Sequence, residues 1–181
     1  MRRKKILSPF IAVGLLVSAV FFLLQILPIP WQKRSEIEVV TDSVIPRIPP
    51  QDAGRIYHML QGIDSLFAEQ NITYWIGGMT LLGAVRHQGL IPWDKAAEIQ
   101  VFLEDGKRIE DLYPEWEKLG LQLEEIPQGI RLISLHNPSL FIDIAYVYNE
   151  SGKIKPRNTE AFWEQDEIFP LEETAFGPLH L

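Results

Sequence analysis

Residues 71–94 read NITYWIGGMTLLGAVRHQGLIPWD, and the architecture is decided there. Ile72–Ile76 is short and rich in β-formers, which predicts a buried strand. Gly77-Gly78 breaks it, and Thr80–His87 fits a short helix. Gln88–Trp93 holds Gly89 and Pro92 and reads as a loop. A strand that runs through a glycine pair into a helix start leaves free amides beside backbone that a ligand can approach. That geometry suits a phosphate. By itself a Gly-Gly after a strand is more often a plain turn, so the weight rests on what surrounds it.

Upstream, Asp52 is a candidate N-cap. Ile56, Met59, Leu60, Ile63, Leu66 and Phe67 then fall on one helical face that ends near Gln70. Downstream, Glu98–Glu104 alternates with period two and predicts a strand. Gly106–Gly120 has the spacing of one helix, with Pro114 as a kink. Leu121–Ile126 and Ile130–Leu135 predict a hairpin around Pro127-Gln128-Gly129. Leu140–Tyr148 is the most apolar strand and is interrupted by one acid, Asp143. Strands interleaved with helices predict an α/β or α+β domain over residues 52–181.

The first 51 residues differ in kind. Ile6–Leu27 carries no charge over 22 residues, enough to span about 33 Å as a helix. Arg2, Arg3, Lys4 and Lys5 precede it, so residues 1–5 are expected to stay cytoplasmic as a basic tail. Trp31 falls where an indole favours the far interface. The length of the run and the lack of a small-residue cleavage site favour a retained signal-anchor over a cleaved signal peptide. Residues 28–51, with Pro46, Pro49 and Pro50, predict an extended stalk. A single-pass type II membrane protein is expected, facing a Golgi or endoplasmic-reticulum lumen in a eukaryote or the periplasm from the inner membrane in a bacterium.

Composition narrows the function classes. The net charge of −7 over 181 residues conceals an asymmetry: residues 35–181 carry 11 basic and 24 acidic residues. Such a domain is a poor nucleic-acid binder, since that needs Lys and Arg to replace counterions. No cysteine is present, which excludes disulfide scaffolds, Cys-based metal sites and thiol nucleophiles. Asp143 inside an apolar strand would cost several kcal/mol unless partnered. An Arg or a backbone amide is its commoner partner, and a divalent cation shared with acids on a neighbouring strand is the other option.

The combined string is more specific than its parts. Trp75-Ile76-Gly77-Gly78-Met79-Thr80-Leu81-Leu82-Gly83-Ala84-Val85-Arg86-His87, followed by Gly89-Leu90-Ile91-Pro92-Trp93-Asp94, resembles the LicD family, which includes fukutin and fukutin-related protein. Phe141-Ile142-Asp143, Ile168-Phe169-Pro170-Leu171 and Phe176-Gly177 resemble later family elements, so the likeness covers roughly residues 55–181. It implies a nucleotidyltransferase-like mixed sheet flanked by helices. The implied reaction transfers a phospho-alcohol unit from a CDP-linked donor to a cell-surface glycan acceptor, with Mg²⁺ or Mn²⁺ as cofactor if the protein is active. Gly77, Gly78, Thr80 and Arg86 are the implied nucleotide- or phosphate-binding residues. Glu98, Asp143 and Asp94 are the implied catalytic acids, with Glu98 and Asp143 as metal ligands.

The sequence departs from the family pattern where the acids matter most. The resemblance places an acid–apolar–acid triplet at residues 96–98, and this chain has Ala96, Ala97 and Glu98, preceded by Lys95. On an extended strand Asp94 and Glu98 are about 13 Å apart, too far to share one ion unless the chain bends at Lys95. The chain also stops sooner after Phe176-Gly177 than family domains usually do. A membrane-anchored relative of these transferases with weak or lost activity is the first expectation. An active enzyme using Glu98 and Asp143 and a non-catalytic, membrane-tethered glycan- or partner-binding scaffold are the alternatives.

Overall fold

The computed structural model describes residues 46–181. The expected basic tail 1–5, the apolar span 6–27 and most of the stalk lie outside the described residues. No helix among the described residues is long and apolar enough to cross a membrane.

Helix α1 spans Pro50–Gln70 and buries Ile56, Met59, Leu60, Ile63, Leu66 and Phe67, the stripe read from the sequence. Asp52 is not its cap. The helix starts two residues earlier, with Pro49 at the N-cap and Pro50 at the first helical position, where a missing N–H costs nothing. Asp52 instead accepts a 3.3 Å hydrogen bond from Asn137 Nδ2. Packing also begins upstream of residue 52: Ile48 lies against the core, and its amide donates to Pro92 O at 2.7 Å.

Strand β1 (Tyr74–Ile76) leads through Gly77 into α2 (Gly78–His87), then β2 (Ala96–Phe102) and a 3₁₀ turn at Leu103–Asp105. The helix expected over 106–120 is two helices, α3 (Gly106–Glu110) and α4 (Tyr113–Lys118). Pro114 cannot donate to an upstream carbonyl, so it begins a new helix rather than bending an old one. Strands β3 (Leu121–Ile126) and β4 (Gly129–Ser134) form the expected hairpin, and β5 spans Phe141–Glu150. Beyond it lie β6 (Lys153–Pro156), β7 (Trp163–Glu164), α5 (Gln165–Ile168) and the small hairpin of β8 (Ala175–Phe176) and β9 (Leu179–His180).

The main sheet runs β1-β2-β5-β4-β3, with β6 paired to β5 and β7 to β6. Among the described residues only β2 and β5 pair in parallel; the other pairings are antiparallel. This is a mixed sheet with helices against it. Ile99, Val101, Ile142, Ile144, Ile130 and Leu132 are fully buried with Phe67 and Trp116 on one side of the sheet. Period-two alternation then sends Glu98, Asp143 and Arg131 to the opposite face.

The C-terminal hairpin grips the loop after α2. Phe176 is fully buried, with its ring edge-on to Tyr57 at 5.7 Å. Gly177 sits at φ +63°, where a Cβ would lie 2.4 Å from the Tyr57 ring, and its amide donates to Gln88 O at 2.6 Å. The Tyr57 hydroxyl in turn accepts the Leu90 amide at 3.0 Å. These contacts tie the Phe176-Gly177 pair to the loop that follows the glycine turn and α2. Phe176→Ala is expected to lower the unfolding free energy by about 3–5 kcal/mol in urea denaturation, the range for emptying a buried aromatic site.

Candidate active site

The parallel register of β2 and β5 sets Glu98 directly opposite Asp143, and the antiparallel register of β5 and β4 sets Asp143 opposite Arg131. Glu124 on β3 is opposite Arg131 in turn. Neighbouring strands are about 4.8 Å apart, so these four side chains form a row across the open face. Arg131 Nε donates to Asp143 Oδ1 at 2.6 Å and Nη2 donates to Oδ2 at 2.9 Å. This two-pronged contact engages both carboxylate oxygens. The same guanidinium lies 3.8 Å from the centroid of the Phe141 ring. Phe141 is the register partner of Ala96. The guanidinium therefore leans toward the corner where the family pattern expects its first acid.

Glu98 is placed by the glycine turn. Gly78 has φ +48°, and a Cβ there would stand 2.6 Å from Glu98 Oε2. Only a glycine lets the backbone come this close in this conformation. Gly77 makes similar room for Gln100, whose Nε2 would be 2.7 Å from an added Cβ. Trp75 Nε1 donates to Gln100 Oε1 at 2.8 Å, and the Gln100 amide donates to the Glu98 carboxylate. Burial pushes the Glu98 carboxyl above the usual glutamate range; the Gln100 hydrogen bond pulls it partly back, and the charge of Asp143 raises it further.

The other expected site residues sit elsewhere or do other work. Thr80 is 3 % exposed, and its Oγ1 accepts the Glu98 amide at 2.6 Å, so it holds β2 in place rather than facing a ligand. The Gly77 amide donates to Glu98 O at 3.1 Å and is used in strand pairing. Arg86 is exposed in the last turn of α2, about 12 Å along the helix axis from Gly78. Asp94 lies before β2 and accepts the Ala96 amide at 3.1 Å, a local turn that points it back at its own backbone. It does not join Glu98 and Asp143.

Three residues of the site were missed by the sequence reading: Arg131, Gln100 and Trp75. Gln100 had a signal, since it shares a strand face with Glu98 two residues away. Arg131 had a weaker one, the need of a strand-borne Asp for a partner. A cavity of about 600 Å³ adjoins the turn, lined by Trp75, Gly77, Gly78, Gln100, Trp163 and Leu181 among others. Asp64, Glu167, Glu172 and Glu173 also line it. It shares the glycines and Gln100 with the acid pair, while Glu98 and Asp143 stand outside its lining.

A divalent ion needs several hard oxygen ligands free to turn toward it. Here two carboxylates are side by side, Ala96 supplies none, and both oxygens of Asp143 are engaged by Arg131. Among the described residues no three His, Cys, Asp or Glu side chains are grouped to hold a metal. The residues present do not fit the divalent centre that the resemblance implies.

The domain is thus a mixed α/β sheet with helices against it, whose two parallel strands carry facing acids beside a glycine turn. The family model described as "LicD/FKTN/FKRP, nucleotidyltransferase domain" matches residues 71–181, and the chain belongs to this family. It is 30 % identical over 142 residues to the uncharacterized protein RP689 of Rickettsia prowazekii (strain Madrid E), covering 75 % of this chain and 52 % of that protein. It is 30 % identical over 106 residues to the ribitol 5-phosphate transferase FKRP of Mus musculus, covering 55 % of this chain and 21 % of that one. It is 34 % identical over 56 residues to the lipopolysaccharide cholinephosphotransferase LicD of Haemophilus influenzae, covering 31 % of this chain and 21 % of that one. The chain thus spans about half the length of RP689 and a smaller share of the other two.

The upward shift at Glu98 has a definite sign for stability. The folded protein binds this proton more tightly than the unfolded chain. The resulting stabilisation is complete below the ordinary glutamate pKa and is lost as pH rises through the raised value. Glu98→Gln keeps an acceptor for Gln100 and removes the charge. It is expected to melt above the parent at about pH 7 and to converge with it near about pH 4. Paired thermal melts across this range check it; a constant gap would contradict the assigned shift.

Proposed function

We propose that this domain binds the CDP-linked donor of a LicD-type phospho-alcohol transfer and performs the transfer weakly or not at all. The observation that carries the reading is the pair Glu98 and Asp143, aligned across β2 and β5 beside the glycine turn, with Ala96 in the third position. In such transfers an acceptor hydroxyl attacks the distal phosphorus of the donor, the anhydride bond breaks, and CMP leaves. Little in that reaction is covalent work for the protein. Positioning and neutralisation of phosphate charge supply nearly all of the acceleration. A site short of one acid, with another already engaged, retains the positioning parts and loses much of the electrostatic part.

Several features support donor binding. The cavity beside Gly77-Gly78 has a volume typical of small-molecule sites, roughly 300–1,000 Å³. Trp75 and Trp163 give it indole surface against which a base can stack. The family membership supports a phosphotransferase-like role, and the lipopolysaccharide in the name of the Haemophilus influenzae relative supports a glycan acceptor. The proposed setting is a single-pass type II anchor through residues 6–27, with the domain on the far side of the membrane from residues 1–5.

Two measurements test this. CDP titrated calorimetrically into the detergent-solubilised full-length chain is expected to bind saturably, and Trp163→Ala to weaken that binding. CDP-ribitol or CDP-choline is expected to release CMP no faster than its spontaneous hydrolysis, with and without Mn²⁺. Absence of CDP binding rejects the donor reading, and fast CMP release rejects the loss of activity. For the anchor, protease added to sealed right-side-out vesicles should leave the domain intact only where it faces the vesicle interior; digestion without detergent in luminal preparations rejects the topology.

A further inference from the structure

We propose that Arg131 is the resident cation of this site, holding Asp143 and the corner beside Ala96 so that the protein itself closes the acid pair to divalent metal. The inference rests on reading Glu98 and Asp143 as the family's acid pair, and it names what now regulates that pair. Three observations converge on it. Arg131 is the register partner of Asp143 and meets both of its oxygens, at 2.6 and 2.9 Å. Its guanidinium is fixed from a second side by the Phe141 ring at 3.8 Å. Phe141 in turn is paired with Ala96, the position that lacks its acid.

Charge explains why such a residue belongs here. Glu98 and Asp143 face the same way from adjacent strands, and two carboxylates that close disfavour each other's ionisation unless a cation stands by. A guanidinium is always charged, planar and matched to a carboxylate, so it offsets the charge of Asp143 with no ion recruited from solution. Any metal that sought Asp143 would compete with two charge-assisted hydrogen bonds and meet the positive charge of the guanidinium beside it. A carboxylate restored at position 96 would arise next to Phe141, within the field of the same guanidinium. It would add an acid one strand beyond Asp143 and leave the Arg131 clasp on Asp143 in place. Loss of the acid at 96 and the clasp by Arg131 are therefore two separate barriers to metal, and removing the first leaves the second in place.

Mn²⁺ alone is the probe, titrated into the full-length chain and followed by electron paramagnetic resonance of the free ion. Parent, Ala96→Asp, Arg131→Gln and the double variant are compared. The parent and Ala96→Asp are expected to bind Mn²⁺ weakly and alike. The double variant is expected to bind at least about tenfold more tightly than Ala96→Asp, because ligand charge and the partners of ligands set affinity at such sites. Ala96→Asp binding as tightly as the double variant overturns the proposal, and so does a double variant as weak as the parent. If Arg131→Gln does not fold by circular dichroism, Arg131→Lys replaces it, retaining charge and losing the fork. Combined with Ala96→Asp it is expected to exceed Ala96→Asp alone, and equality overturns the proposal. CDP is absent throughout, so failure of this ordering counts against Arg131 and failure of CDP binding counts against the donor reading.

Discussion

Two carboxylates on adjacent strands of a half-buried surface repel each other, and the Arg131–Asp143 contact is what makes their juxtaposition tolerable. The parallel pairing of β2 with β5 leaves no freedom in the matter. Once Ile99 and Ile144 are turned into the core, Glu98 and Asp143 must both point outward at the same level. The hairpin β3–β4 then brings Arg131 alongside at the same level. Desolvation still raises Glu98, which has a hydrogen bond from Gln100 but no cation of its own.

The glycine turn and the C-terminal hairpin serve this row from opposite ends. Gly78 lets the backbone pass within contact of the Glu98 carboxylate, and Thr80, in the same first turn of α2, secures the Glu98 amide. Phe176 and Gly177 hold Tyr57 and Gln88, and so fix the loop that feeds β2. Motif residues that look like ligand contacts in the linear string are thus largely packing residues. They matter to chemistry because they position the few side chains that face outward.

For a family whose transfer depends on phosphate charge being neutralised, the composition of the row is decisive. A guanidinium bound to a carboxylate supplies a fixed positive charge, but its charge is already spent on Asp143. The cavity next to the row is lined by other side chains, two indoles and four acids among them, and by neither Glu98 nor Asp143. On the proposed reading, donor recognition would draw on the cavity and turnover on the row, two neighbouring but distinct sets of residues.

Local pattern was enough for much of the domain. The apolar stripe of α1, the strand–glycine–helix passage, the 121–134 hairpin and the acid within β5 are all periodicities or breaks within a few residues, and sequence carries those directly. Ala96 was equally legible, because a missing acid is visible against the resemblance to the LicD family. Boundaries were less so: Pro50 and Pro114 act as helix starters, and only the fold chooses between starting a helix and kinking one. Long-range partners were legible only where the resemblance supplied them, as with Glu98 and Asp143, which the register sets side by side. Asp94 and Arg86 belong to the motif but not to the acid pair, one turned onto its own backbone and the other a helix length away. Arg131 lies outside every motif yet completes the site. Sequence by itself determined which side chains are available and which face of each element is apolar. Tertiary structure decided which of them meet, because strand register, a property of pairing across 12 or more residues, sets Arg131 rather than a third carboxylate beside Asp143.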